Sequence, residues 1–490
     1  MELPPAGTVA APELTPEDSK RNGLVISLLL VSAFVVILNE TIMGVAVPHL
    51  MTDLGITAGS AQWLTTAFML TMAVVIPITG FLLQRLNTRP VFMLAMSLFS
   101  LGTLIAALAP GFPMLVVGRI VQASGTAVMM PLLMTTVMTL VPPQARGKTM
   151  GNISIVMSVA PAIGPTISGL ILNVLDWRWM FLLVLPISLL ALALGVLRIK
   201  NVSTPRYAPL DAVSVVLSAI GFGGLVYGLS TLGEGAGGDS LVPSWAPLLV
   251  GAVALVLFVL RQLSLQKRDK ALLDLRTFRS VTFTVSVVMM GISMMALFGS
   301  LILLPIYMQT VLQLDTLQTG LLLLPGGLVM GVMGPFVGRL YDKYGPTPLL
   351  VPGAIIVSLV MWSMVMLDQN TAVAWVLARH VLLSVGLSLM FTPLFTSSLG
   401  SLPRHLYSHG SAIIGTIQQV AGAAGTALFV ALMSREAGTL VAQGANAIIA
   451  TAGGVHVAFL WGGIISMFAI IAAIFIRRPP ANDMAPAMAH

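Results

Sequence analysis

Cysteine is absent from the 490 residues, which excludes disulfides, thiol catalysis and thiolate metal ligation. Charge is scarce: Asp, Glu, Lys and Arg make up 8% of the chain, against about 25% in soluble domains. Several enzyme signatures are missing too. There is no HExxH, no nucleotide-binding P-loop, no G-x-S-x-G and no pair of aspartates within an apolar run. The chain therefore reads as a non-enzyme with no metal or cofactor, and any energy it uses comes from an ion gradient or a partner protein. Apolar residues fill the space, at 57% of the chain with a mean hydropathy of +0.98. A length that would suggest several soluble domains instead describes one polytopic membrane unit.

Fourteen apolar runs can be laid out, at about 24–48, 60–83, 91–110, 113–136, 148–172, 179–198, 210–232, 245–263, 281–309, 319–338, 348–367, 372–396, 411–433 and 456–476. Each predicts an α-helix, because lipid offers no partner for unpaired backbone groups and the runs do not alternate as barrel strands do. With a cytoplasmic N-terminus, twenty of the 24 Lys and Arg residues fall on the cytoplasmic side. That bias predicts an even number of spans with both termini inside. The net charge of +7 is thus assigned to membrane orientation and not to nucleic acid. Residues 1–23 and 478–490 read as flexible cytoplasmic tails. The basic stretch Gln262–Ser280 reads either as an amphipathic helix on the inner leaflet or as a solvated loop.

One carboxylate lies deep in an apolar run: Glu40, between Asn39 and Thr41 in the first. A charge at bilayer depth costs roughly 2.5–3.5 kcal/mol, so such a group faces protein or a water-filled cavity. Glu40 is the candidate for handling a proton or cation. Two cations also lie within runs, Arg119 and Arg379, the latter followed by His380. Arg119 cannot shed its charge and needs a partner, for which Glu40 is the candidate. The polar and aromatic candidates for lining a cavity are Asn39, Gln62, Trp63, Gln122, Tyr307, Gln309, Arg379, His380 and Gln418; helix-to-helix bonds or interfacial packing are the alternatives for each.

A weak internal repeat pairs GFLLQRLNTRP at 80–90 with GRLYDKYGPTP at 338–348. The copies lie roughly 260 residues apart, where six spans take about 200, and the surplus fits two further helices. The plan is thus a six-helix bundle at 24–200, an inserted pair with its basic loop at 201–280, and a second bundle at 281–477.

At these motifs the sequence resembles the major facilitator superfamily. More narrowly it resembles the fourteen-span drug:proton antiporters that include lincomycin-resistance-type exporters. LNETIMGVAVP (Leu38 to Pro48) is similar to that group's LDxTIVNVALP, with Asn39 in place of the usual acid and Glu40 one place on. Gly80, Leu82, Arg85 and Arg89 match the family's loop signature, with Gln84 where an acid is usual; Gly338, Leu340, Asp342 and Gly345 match it in the second half. The resemblance implies that this loop locks one closed state. Arg119 and Gln122 resemble the RxxQG motif, for which the family implies proton coupling. Gly151, Ala160, Gly164-Pro165 and Gly169 reproduce the antiporter motif with one Gly-to-Ala change.

The resemblance implies a monomeric, proton-coupled antiporter in the inner membrane of a bacterium, surrounded by lipid and exporting small lipophilic or amphipathic compounds by alternating access. Two other readings stay open. One is a dedicated exporter of a single endogenous lipid, siderophore or antibiotic; the other is an uncoupled scaffold or channel.

Overall fold

The structure, a computed structural model, describes residues 16–202, 205, 210–233, 243 and 245–477. Among these, fourteen helices are long and apolar enough to cross a membrane. They are α1 (Pro16–Leu54), α2 (Ala58–Arg85), α3 (Thr88–Ala107), α4 (Phe112–Leu140), α5 (Arg146–Val174), α6 (Arg178–Arg198) and α7 (Ala212–Gly233). There follow α8 (Trp245–Leu265), α9 (Val281–Thr310), α10 (Thr316–Tyr344), α11 (Thr347–Met364), α12 (Val373–Gly400), α13 (Tyr407–Ala442) and α14 (Ala447–Phe475). The two faces of the membrane are called here the basic face, where α2 meets α3 and α4 meets α5, and the far face.

Polar side chains close the helix ends where the chain leaves lipid. Asp315 and Gln318 form a reciprocal capping box on α10, and Asn446 accepts from Ile449 N at 2.9 Å to start α14. Gly345, with φ 81°, ends α10 in a left-handed turn that a side chain would strain.

Three expectations change. The predicted tail to residue 23 gives way to helix from Pro16, a residue suited to the first helical position. Residues 1–15 and 478–490 lie outside the described residues. The far-face loop expected between 433 and 456 shrinks, because α13 runs to Ala442 and α14 begins at Ala447, with Gly444 at φ 91° reversing the chain between them. The basic linker is not an amphipathic helix and only in part a solvated loop, with Lys267, Arg268, Lys270 and Arg279 exposed. It forms two short 3-10 turns, Gln266–Arg268 and Leu275–Arg279, broken by Asp269 at φ 52°, and buries Leu272, Leu273, Asp274 and Thr277.

Helices α1–α6 pack mainly on one another, as do α9–α14. The halves meet along two seams, α5 against α10 and α2 against α13. The inserted helices α7 and α8 pair with each other, and α7 lies on both α2 and α13, covering that seam. Trp63 of α2 stacks on Tyr227 of α7 with ring centres 5.8 Å apart. The opposite side of α8 turns Val253, Val256 and Leu260 outward, as lipid contact requires.

Candidate functional site

Within the first half, α1 meets α4 and α5. Arg119 is fully buried on α4. Its Nη1 donates to Gln122 Oε1 at 2.6 Å and to Asn39 Oδ1 at 3.3 Å, and its guanidinium lies 4.1 Å from the centre of the Phe68 ring. Gln122 passes the chain on, donating to Thr103 Oγ1 at 2.8 Å, and Thr103 donates to the Phe99 carbonyl. Neutral amides and an aromatic face thus hold this cation, the latter worth up to about 2 kcal/mol when desolvated.

Glu40 is different. Its carboxylate is half-buried and close enough to Arg119 for the two charges to interact, yet it accepts no hydrogen bond and forms no ion pair among the described residues. The next residue, Thr41, packs its hydroxyl against Gly164 of α5, where any larger residue would collide, and lies 3.5 Å from the Ala160 carbonyl. The glycine of the antiporter motif therefore sets the close approach of α5 to the turn of α1 that carries Glu40.

The second part of the site is the contact between halves. At the basic face both oxygens of Asp342, on α10, accept from the first turn of α5: Gly147 N at 2.8 Å and Lys148 N at 2.9 Å. A carboxylate here satisfies orphan amides and meets the positive end of the helix dipole. Above it, Gly151 and Gly334 approach backbone to backbone, and Ser154 and Thr392 share a hydrogen bond of 2.7 Å. On the other seam Gln84, which occupies the corresponding place in the first-half loop, donates to the His405 carbonyl at 3.3 Å and lies 2.8 Å from His409 Nε2. Gly80 packs on Ser408, His409 and Ala412, and Thr135 and Ser411 are 2.8 Å apart. Arg146 faces the ring of Tyr407. Nearer the far face, neither Gly169 of α5 nor Gly320 of α10 has any atom within 4 Å of where a Cβ would stand.

The remaining candidates disperse. Tyr307 is fully buried and donates to the Asp368 carbonyl at 2.5 Å, a packing arrangement between α9 and a far-face loop. Gln309 is exposed, and Gln418 is half-buried on α13. Gln62 lies on α2, with its side chain outside the described residues. His380 Nε2 lies 3.1 Å from the Leu323 carbonyl and packs on Gly326, while the neighbouring Arg379 is half-buried with no hydrogen bond at Nη1. Arg89 donates to the Val196 carbonyl at 2.7 Å, tying α3 to α6 inside one half, and Arg85 lies over Phe81. Pro165 sits inside α5. Sequence reasoning overlooked Thr103, Phe68, His409, Ser154 and Thr392. No motif marks them, and only the packing of helices brings them to Arg119 or to the seams.

The Major Facilitator Superfamily profile matches residues 29–426. The chain belongs to that superfamily. It is 41% identical over 461 residues to the lincomycin resistance protein LmrB of Bacillus subtilis, covering 93% of this chain and 95% of that protein. Against the multidrug resistance protein B homolog of Mycobacterium tuberculosis the identity is 28% over 397 residues, covering 80% and 73%. Among solved structures, the proton:xylose symporter XylE superposes with a TM-score of 0.62 at 15% identity, covering 94% of this chain and 96% of that one, a likeness of fold. Its relatives are transporters and not enzymes, and superfamily members act on small-molecule substrates. Fourteen apolar helices and bacterial relatives identify a multi-pass protein of the bacterial inner membrane.

Proposed function

We propose that this protein is a proton-driven exporter of small lipophilic or amphipathic compounds, with no bound cofactor, working by alternating access of its two halves. The observation that carries the reading is the contrast between Arg119, hydrogen-bonded to neutral partners, and Glu40, which lies within charge range of Arg119 but accepts no hydrogen bond among the described residues. At the position where the resembled signature has an acid, Asn39 accepts the hydrogen bond from Arg119. A carboxylate at position 39 would be fixed in an ion pair; Asn39 leaves Glu40 free to gain and lose a proton. With the basic face assigned to the cytoplasm by the charge bias, the packed seams support a reading as an outward-facing state, in which external protons would reach Glu40 as substrate leaves. One charge moved across 100 mV corresponds to about 2.3 kcal/mol, enough for substantial accumulation per proton. The names of the relatives support lincosamides and other drugs as substrates.

Reconstituted protein in proteoliposomes tests this. An imposed pH gradient should drive uptake of lincomycin and of other lipophilic compounds, and a protonophore should stop it. Flux indifferent to the protonophore would favour an uncoupled pathway, and transport of a single compound from a broad panel would favour a dedicated exporter.

A further inference from the structure

The inserted pair does more than cover a seam. Where α7 and α8 reach the basic face, Arg261 grips Asp211 with two bonds, Nε to Oδ2 at 2.6 Å and Nη2 to Oδ1 at 2.7 Å. Asp211 also accepts from the backbone and hydroxyl of Ser214. The next residue of α8, Gln262, is fully buried. Its Nε2 donates to Ser214 Oγ at 2.7 Å, and its Oε1 accepts from Leu272 N at 2.8 Å and Leu273 N at 3.3 Å. One side chain thus ties α8 to α7 and to the linker that leads into the second half.

The clamped segment ends at the gate. The Leu272 carbonyl and the Asp274 carboxylate lie close enough to the His409 ring to interact with it electrostatically, while its buried Nδ1 makes no hydrogen bond among the described residues. Asp274 is itself held by Arg276 Nε at 2.9 Å. His409 in turn meets Gln84 of the first half. A continuous path runs from the inserted helices through Gln262 and Leu272 to the contact between halves. If Gln262 served only to satisfy two buried amides, it would stabilise the linker and leave the seam unaffected.

We propose that Gln262 is a positioning residue of the basic-face gate: it fixes Leu272 to Asp274 against His409, so that the inserted pair sets how firmly α13 closes on α2. This requires only that the halves move, and it stands apart from the proton step.

The natural absence of cysteine supplies the test. Full-length Ser411→Cys, reporting on the seam opposite Thr135, is exposed in inverted vesicles to a membrane-impermeant maleimide at the basic face. Gln262→Ala should raise the labelling rate roughly tenfold, a shift of about 1.4 kcal/mol between closed and open gates. Ser214→Ala, which removes a single hydroxyl, should raise it roughly threefold and serves if Gln262→Ala does not fold. In a His409→Gln background the Gln262 substitution should add nothing. Asp342→Ala, on the other seam, provides the positive control. The proposal is overturned if that control labels faster while both Gln262→Ala and Ser214→Ala label at the parent rate, or if Gln262→Ala has the same effect with and without His409. No outcome depends on substrate or on a pH gradient, so failure here is separable from failure of the exporter reading.

Discussion

The α5/α10 seam behaves as two different surfaces along one pair of helices. From Gly147 and Gly338 up to Ala162 and Gly327 the backbones touch; at Gly169 and Gly320 there is only open space. Within the antiporter motif itself, Gly151 is closely packed against Gly334 at one end and Gly169 is idle at the other. A motif glycine therefore need not mark a contact in the state observed. In an alternating-access protein the idle set is the one the opposite state would use.

The largest effect should come from filling the packed end. Gly334→Leu would place a Cβ 2.6 Å from the Gly151 carbonyl oxygen and 2.9 Å from the Ser154 side chain. Overpacking of this kind costs about 1–3 kcal/mol, so the melting temperature should fall, whereas Gly169→Leu at the bare end should leave it unchanged. Equal losses at the two ends would end the comparison. Next comes Asp342→Ala, which removes two bonds from the start of α5 and should cost about 2 kcal/mol of the closed gate, discounted for the exposure of Lys148. Hydrogen exchange over residues 146–150 reads this directly, with Asp342→Asn intermediate. Ser154→Ala should cost about 1 kcal/mol, and Thr392→Val should add little in the double variant, because both remove the same bond.

The smallest effect concerns the inserted pair. The hydrogen bond from Arg261, followed in size by opposing burial and then the Ser214 bonds, holds the Asp211 carboxyl below its ordinary value of about 3.9. A carboxyl depressed in the folded state contributes stability that is complete above the ordinary value and is lost as pH falls towards the lower, folded one. The deficit of Asp211→Asn in thermal melts should therefore be constant from pH 7 to about 4 and shrink only below that.

Much of the fold was legible because lipid permits few solutions: long apolar runs must be helices, and basic loops mark one face. The site was legible where burial in lipid makes a residue conspicuous, as with Glu40 and Arg119. It was not legible where function rests on uncharged contacts. Gln84 stood out only as a lost acid, His409 carries no signal of its own, and the Ser154–Thr392 bond joins residues far apart in sequence. Tyr307 shows the converse, an aromatic candidate for lining a cavity whose hydroxyl serves a loop. The linker was misread because charge counting sees its five basic residues and not the buried Leu272 and Leu273 between them.

The central claim is that Glu40 alone changes charge as the halves alternate. Glu40→Gln in proteoliposomes measures it by comparing two modes in the same preparation. Exchange of substrate down its own gradient should persist, while uptake driven by a pH gradient should fall to background. Gradient-driven uptake at the parent rate in Glu40→Gln would contradict the account.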